Sequence, residues 1–302
     1  MRTVYLGTSE FAATVLGRLA DSPHRPVLVI TRPDRPRGRG RHLSPPPVAT
    51  SARALGLTLA QPEALGSAGS LEQIAGAQPE ALVLCAYGAL VQEPLLSAHP
   101  TFNVHPSLLP RWRGAAPIER AIMAGDAVTG VSIMRLAAEL DAGPVCLSRE
   151  EPIAAGDTYG SLAPRLAGLG GELLVQALDT APPFAAQDEG GATYAEKIAA
   201  CDRTLDPARP AVDLERVVRA LTPHVGARVA LADGSMLGVI SAAVAADMQD
   251  QDAPPPGDLR PDGGRLLLGC DPGVLELRIV QSAGGRAMDA GDFLRGRGLP
   301  VP

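Results

Sequence analysis

Lysine is almost missing from this chain: Lys197 is the only one in 302 residues. Any cationic contact must therefore come from arginine. A formal net charge of −6 also removes bulk positive charge as a route to nucleic acid, so a polyanion could be gripped only by a local patch. Tryptophan also occurs only once, as Trp112. No apolar run approaches the length of a membrane-spanning helix, and the first residues read as a strand and not as a signal peptide. The four cysteines, Cys85, Cys146, Cys201 and Cys270, have neither metal nor disulfide spacing, which fits a reducing cytoplasm. His42 and His99 lack partners at metal-ligand spacing, so both read as solvated loop residues and no metal is expected. The stretch "GTSEFAA" after the first apolar run lacks G-x-G-x-x-G, which argues against a dinucleotide site. Gly7 in that stretch is read as serving a tight turn.

What is present describes a globular protein long enough for two domains, with 46% hydrophobic and 20% charged residues. Residues 3–7, 26–31, 81–88, 101–105 and 130–136 read as strands, most of them near-continuous apolar runs. That pattern belongs to a parallel sheet covered by helices on both faces. Residues 11–20, 51–55 and 118–123 read as helices; Pro117 opens the last of these and Gly125 closes it. The expected fold class is α/β: a doubly wound, Rossmann-like, mostly parallel sheet domain, followed by a small C-terminal β-barrel. Residues 1–185 form the first domain, 186–208 a Pro/Gly-rich linker, and 209–302 the second domain, which opens on a helix at 214–221 and continues in short strands divided by turn signals. In such a fold ligands sit beyond the carboxyl ends of the strands, where Asn103, His105 and the segment after Leu136 are expected.

Chemistry concentrates in "NVHPSLLPRWRGAAPI", residues 103–118. Asn103 and His105 are two apart on a strand, so both side chains share one face, and Pro106 ends the strand behind them. An imidazole can accept and return a proton near neutral pH, while an amide donates a hydrogen bond without titrating. Asp141, in "ELDAGPV", supplies a carboxylate that would orient the ring. The three together resemble acyl-transfer equipment without a side-chain nucleophile, so the attacking group would belong to the substrate. A strand-end histidine satisfied by backbone is the competing reading of His105. Trp112, between Arg111 and Arg113, reads as a cap on a core with its N–H bonded to backbone; the alternative is contact with a nucleotide or anion. The densest cationic stretch is "TRPDRPRGRGRHL", where Arg32, Arg35, Arg37, Arg39 and Arg41 face the single acid Asp34. Five arginines in an acidic chain read as a polyanion contact in preference to a solvated, disordered segment.

These stretches, with "GTSEFA", "TGVSIM", "LDAGPV", "YAEKI" and "DFLRGR", resemble the formyltransferase family that uses 10-formyltetrahydrofolate, and the likeness runs through nearly the whole chain. The resemblance implies that Asn103, His105 and Asp141 are the catalytic residues and that Ser107, Leu108, Leu109 and Pro110, with Tyr87 and Gly88, line the folate site. It implies that the arginine-rich segment, Arg35, Arg37, Arg39 and Arg41, wedges against the acceptor end of an initiator methionyl-tRNA. It also implies that the second domain is an OB-like barrel touching the tRNA body, and that the protein is a monomer. On this reading the α-amine of the aminoacyl-tRNA attacks the formyl carbon; Asn103 and His105 stabilise the oxyanion while Asp141 orients His105 and supports proton transfer.

Some positions depart from the family pattern. Pro106 stands where tRNA-directed members often carry Gly, and "HPSLLP" is typical of members acting on glycinamide ribonucleotide. Glu139 and Ala142 flank Asp141 where Gly and Thr are usual. From Leu205 onward ten Arg stand against thirteen Asp plus Glu, so only patches could hold RNA there. Two alternatives therefore stand beside the main reading. One is formyl transfer to a small amine, either glycinamide ribonucleotide or an amino sugar; the other is a non-catalytic α/β module that binds a nucleotide or RNA.

Overall fold

Two packed units emerge whose segments alternate along the chain. The first takes Met1–Gly114, Val128–Pro152 and Ala163–Ala195; the second takes Ala115–Ala127, Ile153–Leu162 and Glu196–Pro302. The structure, a computed structural model, describes residues 1–37, 40, 42–248, 250–296, 298 and 299.

In the first unit the strands begin with β1 (Thr3–Gly7), β2 (Leu28–Ile30), β3 (Arg35–Arg37), β4 (His42–Ser44), β5 (Leu59–Ala60) and β6 (Ala81–Cys85). They continue with β7 (Thr101–His105), β8 (Arg113–Gly114), β9 (Val128–Arg135), β10 (Val145–Pro152) and β11 (Tyr194–Ala195). Seven of them form one sheet in the order β10–β9–β7–β6–β1–β2–β5. The five from β7 to β5 are mutually parallel. Val4, Tyr5 and Leu6 of β1 are fully buried, as a strand covered on both faces requires.

Helices α1 (Glu10–Ala20), α2 (Pro47–Ala54), α3 (Ala68–Ala77) and α4 (Leu95–Ala98) connect these strands. Helix α1 starts where Ser9 Oγ accepts the Ala12 N–H at 3.2 Å, and Glu10 in its first turn complements the helix dipole. Its Phe11, Ala12, Val15, Leu16 and Leu19 form the buried stripe. Gly7, ahead of it, is fixed by packing and not by a turn: a Cβ there would lie 2.7 Å from the Tyr5 ring and 2.9 Å from Ala12 Cβ.

The second unit holds α5 (Pro117–Ala124), the start of α6 (Tyr159–Thr180), α7 (Ala211–Leu221) and α8 (Ala290–Gly296). Pro117 opens α5 and Gly125 closes it in a left-handed C-cap, both as the sequence predicts. Strands β12 (Ala227–Ala230), β13 (Met236–Val244), β14 (Leu259–Asp262), β15 (Arg265–Gly269), β16 (Val274–Gln281) and β17 (Ala287–Asp289) make an antiparallel sheet with the path β12–β13–β16–β15–β14, β17 joining β16. Strand β13 carries two register shifts against β16, the irregularity that bends a strand. Leu214, Val217, Val218 and Leu221 of α7 pack with Leu237, Val239, Leu266, Leu268, Leu275 and Leu277 in one core.

Three features differ from the sequence reading. Strand β9 runs antiparallel to β7, with Phe102 opposite Arg135 and His105 opposite Ser132. The segment after Leu136 therefore leaves the sheet at the amino end of β7, not beyond its carboxyl end. Within the arginine-rich stretch β3 and β4 pair antiparallel, with Arg35 opposite Ser44 and Arg37 opposite His42. His42 is thus a strand residue, exposed, while His99 follows α4 and is half-buried. Finally, α3, β5, β10 and the 22-residue α6 had no counterpart in the sequence pattern. Among the described residues no helix is long and apolar enough to cross a membrane, and no group of His, Cys, Asp and Glu is placed to hold a metal ion.

Candidate active site

Asn103 and His105 share one face of β7, and the loop holding Asp141 folds back from the amino end of that strand to meet them. All three are buried, at 7%, 4% and 9% exposure. Asn103 Nδ2 donates to Asp141 Oδ1 at 3.4 Å, and His105 Nδ1 stands 3.7 Å from Asp141 Oδ2. Residues spread over 103–141 in the sequence therefore form one cluster.

His105 Nε2 lies 2.9 Å from the Trp112 carbonyl oxygen. A carbonyl can only accept, so Nε2 carries the hydrogen and Nδ1 faces the carboxylate. The backbone at 112–114 is the second wall of the cluster. Trp112 has a φ of +65°, and its N–H donates to Thr193 Oγ1 at 2.9 Å. Gly114 N–H donates to Asp141 Oδ2 at 3.0 Å. Gly114 has a φ of +122° and lies so close to β11 that a Cβ would stand 2.7 Å from the Ala195 carbonyl. Only glycine brings that amide to the carboxylate.

Arg113, between them, is completely buried; its guanidinium meets Glu189 through two bonds of 3.0 and 2.7 Å and Gln187 Oε1 through Nε at 3.0 Å. Glu189 raises the arginine further above its ordinary range, and Arg113 holds the Glu189 carboxyl below the usual carboxylate range. Trp112 precedes this arginine in the chain. The ring is half-buried under the Arg111 guanidinium at 4.3 Å, and the site is touched by its backbone.

Segment 107–110 is tied down next to the pair. Ser107 is fully buried, its Oγ donating to the Arg111 carbonyl at 2.6 Å. Ser132 Oγ of β9 donates to the Ser107 carbonyl at 2.8 Å and accepts the Leu109 N–H at 3.1 Å. Leu108 is seated over Gly130, and Leu108, Leu109 and Pro110 remain half-buried. Tyr87 and Gly88 leave the sheet one strand away, since Leu84 of β6 is the partner of Asn103. Gly88 takes a φ of +81°, so it serves the turn. Both residues line a cleft of about 490 Å³ with Thr8, Ser9, Arg32 and Arg35. Burial pushes the Tyr87 phenol up while the Arg32 charge draws it partly back. Arg35 is exposed on β3, where Arg37 is its strand neighbour; Arg39 and Arg41 lie outside the described residues.

The residues missed by sequence reasoning are Gln187, Arg113, Gly114 and Ser132. Gln187 Nε2 donates to two carbonyls, Asp141 O at 2.8 Å and Gly143 O at 2.7 Å. It falls in an aperiodic connector, and no local signal marks it. Chemically, the cluster offers an amide donor, an imidazole and a carboxylate in a buried setting beside a half-buried apolar segment. That set can hold a developing oxyanion and move a proton.

Residues 1–178 match the model of a formyl transferase, and residues 197–298 match the formyl transferase C-terminal domain. A protein named methionyl-tRNA formyltransferase from Halorhodospira halophila is 43% identical over 306 residues, covering 99% of this chain and 97% of that one. Among solved structures, HypX from Aquifex aeolicus in complex with tetrahydrofolic acid matches 97% of this chain with a TM-score of 0.66 and 16% identity. The match covers 47% of HypX, so this chain spans about half its length. A methionyl-tRNA formyltransferase from Clostridium thermocellum matches 83% of this chain and 94% of its own, with a TM-score of 0.60 and 13% identity. At such identities the two structures speak to the fold alone, the parallel-dominated sheet and the separate antiparallel unit. With a family model over more than half its length and a relative 43% identical from end to end, the chain belongs to the formyl transferase family.

Proposed function

We propose that this protein transfers the formyl group of 10-formyltetrahydrofolate to the free α-amine of initiator methionyl-tRNA, for translation initiation. The observation that carries the reading is the end-to-end similarity to a methionyl-tRNA formyltransferase, joined to a buried Asn103–His105–Asp141 cluster of the kind acyl transfer needs.

The donor, when bound, supplies a formyl carbon on a folate nitrogen. Leu108, Leu109 and Pro110 offer it an apolar wall pinned by Ser132, which suits a flat aromatic molecule. The α-amine has an ordinary pKa of about 7.7–8.0, so much of it is neutral at physiological pH and needs no strong base. Its nitrogen forms the new bond to the formyl carbon, the bond to the folate nitrogen breaks, and the amine's proton passes to the departing nitrogen. Asn103 Nδ2 and His105 donate to the formyl oxygen as negative charge gathers there. For His105 this means exchanging the Trp112 carbonyl for substrate, because its Nε2–H is engaged by that carbonyl in the structure. Asp141 orients the ring and offers a carboxylate 3.7 Å from Nδ1 for the proton in transit.

On this reading residues 1–185 carry formyl transfer, 186–208 link, and 209–302 contact the tRNA body. Arg35, Arg37, Arg39 and Arg41 meet the acceptor end, and Tyr87 and Gly88 with residues 107–110 meet the folate. The protein works as a monomer in the cytoplasm and needs no metal. A radioactive-formyl assay offering methionyl-tRNA, glycinamide ribonucleotide and an amino sugar nucleotide in parallel tests the whole. Label should enter methionyl-tRNA at least about 10³-fold faster than either small amine, a difference of roughly 4 kcal/mol in barrier. Label in a small amine alone would overturn the acceptor, and label in none would overturn the enzyme.

A further inference from the structure

Asp141 has a left-handed backbone with a φ of +48°, a region uncommon for residues other than glycine, yet its carboxylate must reach groups on two other segments. Gly114 N and Asn103 Nδ2 donate to it, and His105 Nδ1 stands 3.7 Å away. Something has to hold this loop residue in place. Gln187 is the group that does so on the backbone side. Its Nε2 has two hydrogens and two acceptors, the carbonyls of Asp141 at 2.8 Å and Gly143 at 2.7 Å. The amide orientation is fixed chemically, since its other end accepts from the Arg113 guanidinium at 3.0 Å, and a flipped amide would set N–H against N–H and oxygen against oxygen.

The contacts close into a ring. Asp141 O leads to Gln187, Gln187 to the Arg113 side chain, Arg113 along β8 to Gly114, and Gly114 N–H back to Asp141 Oδ2. Arg113 is itself immobilised by Glu189 and by its backbone N–H on the Thr193 carbonyl at 2.8 Å. One short strand thus fixes the carboxylate directly through Gly114 and the backbone of the same residue through Gln187. Trp112, on its other side, holds His105.

We infer that Gln187 is a positioning residue for formyl transfer, acting through the backbone of Asp141 and not on substrate. This rests on the reading of Asn103, His105 and Asp141 as the reacting cluster. A carboxylate displaced by about 1 Å costs on the order of 10²-fold in rate without a comparable effect on ground-state binding.

Gln187→Glu separates this role from a merely structural one. The variant has the same shape and keeps, with added charge, the acceptor that Arg113 needs, but it cannot donate to either carbonyl. Single-turnover formyl transfer with both substrates saturating should fall about 10²-fold in Gln187→Glu and in Gln187→Leu, while KM for each substrate stays within about threefold and both variants keep a cooperative thermal transition. In an Asp141→Asn background the added Gln187→Glu change should cost less than about threefold, because residues acting as a unit are not additive. A Gln187→Glu enzyme with native turnover, or a full further 10²-fold loss in the Asp141→Asn background, would overturn the inference. Native turnover in Asp141→Asn alone would instead remove the cluster from the mechanism, and the role of Gln187 with it.

Discussion

Asn103 is the side chain from which the cluster's chemistry is most directly tested. It cannot titrate, it is buried, and its amide donates to the carboxylate of Asp141. Asn103→Ala should lower turnover at saturating substrates by about 10²–10³, the usual cost of one oxyanion donor, with little change in KM. A rate within a few-fold of the parent, measured by formyl transfer under single-turnover conditions, would take Asn103 out of the mechanism. Its position was legible because alternation on a strand needs no tertiary information: residues 103 and 105 must share a face once the strand forms. The partners of His105 were not legible in that way. Its carbonyl acceptor belongs to Trp112, whose left-handed backbone is held by a bond to Thr193, 81 residues away. Arg113 beside it, which in sequence is only part of the alternative anion contact, is a wholly buried strut in the fold.

Among the elements, those with a complete local signature were readable and those without were not. Helix α1 has its serine cap and apolar stripe, and α5 has proline at its start and glycine at its end. Helix α6 has Gly160, Gly168, Gly170, Gly171 and Pro164 in 22 residues, a composition that opposes helix formation. Packing overrides it. A Cβ on Gly170 would stand 2.8 Å from Val104, and one on Gly171 2.7 Å from the Arg18 side chain, so the glycines let the helix approach the sheet and α1. Strand β10 escaped for the opposite reason, being a charged edge strand with mostly exposed or half-buried residues and no alternation. In the second unit, α5 is tied to the segment before α7 by Arg120, whose guanidinium meets Asp202 at 3.0 and 3.1 Å. The Asp202 carboxyl is held below its ordinary range, chiefly by that bond. A carboxyl depressed in the folded state stabilises above its unfolded pKa of about 3.9, and this contribution disappears as pH falls through the folded value. Asp202→Asn should therefore cost on the order of 1 kcal/mol at pH 7 and progressively less in the acid range, read as denaturant midpoints against pH. An equal loss at pH 7 and pH 2 would show that the bond's charge contributes nothing.

For the molecule as a whole, charge decides how RNA can be held. With a net charge of −6 and one lysine, bulk attraction is unavailable, and arginine is densest in residues 32–41, of which Arg35 and Arg37 lie on β3. Binding of methionyl-tRNA should weaken with salt, and removing one phosphate-binding cation should flatten the slope of log K against log salt by about 0.9. Arg35→Leu is expected to flatten it by that amount, measured by binding titrations over a range of salt concentrations. An unchanged slope would place Arg35 away from the RNA.

The sequence by itself determined four of the five strands of the parallel core, the shared face of Asn103 and His105, the arginine-rich stretch and the two-part α/β-then-β order of the chain. Each rests on local periodicity, composition or a family motif. Only the tertiary structure decided that β9 runs antiparallel, so that Asp141 reaches the cluster by folding back from the amino end of β7. It alone brought Gln187 from an aperiodic connector to the Asp141 backbone, and Gly114 from a two-residue strand to the carboxylate. Strand direction and loop closure are set by which buried groups find hydrogen-bond partners across the sheet, and such pairings between distant residues leave no periodic trace in the chain.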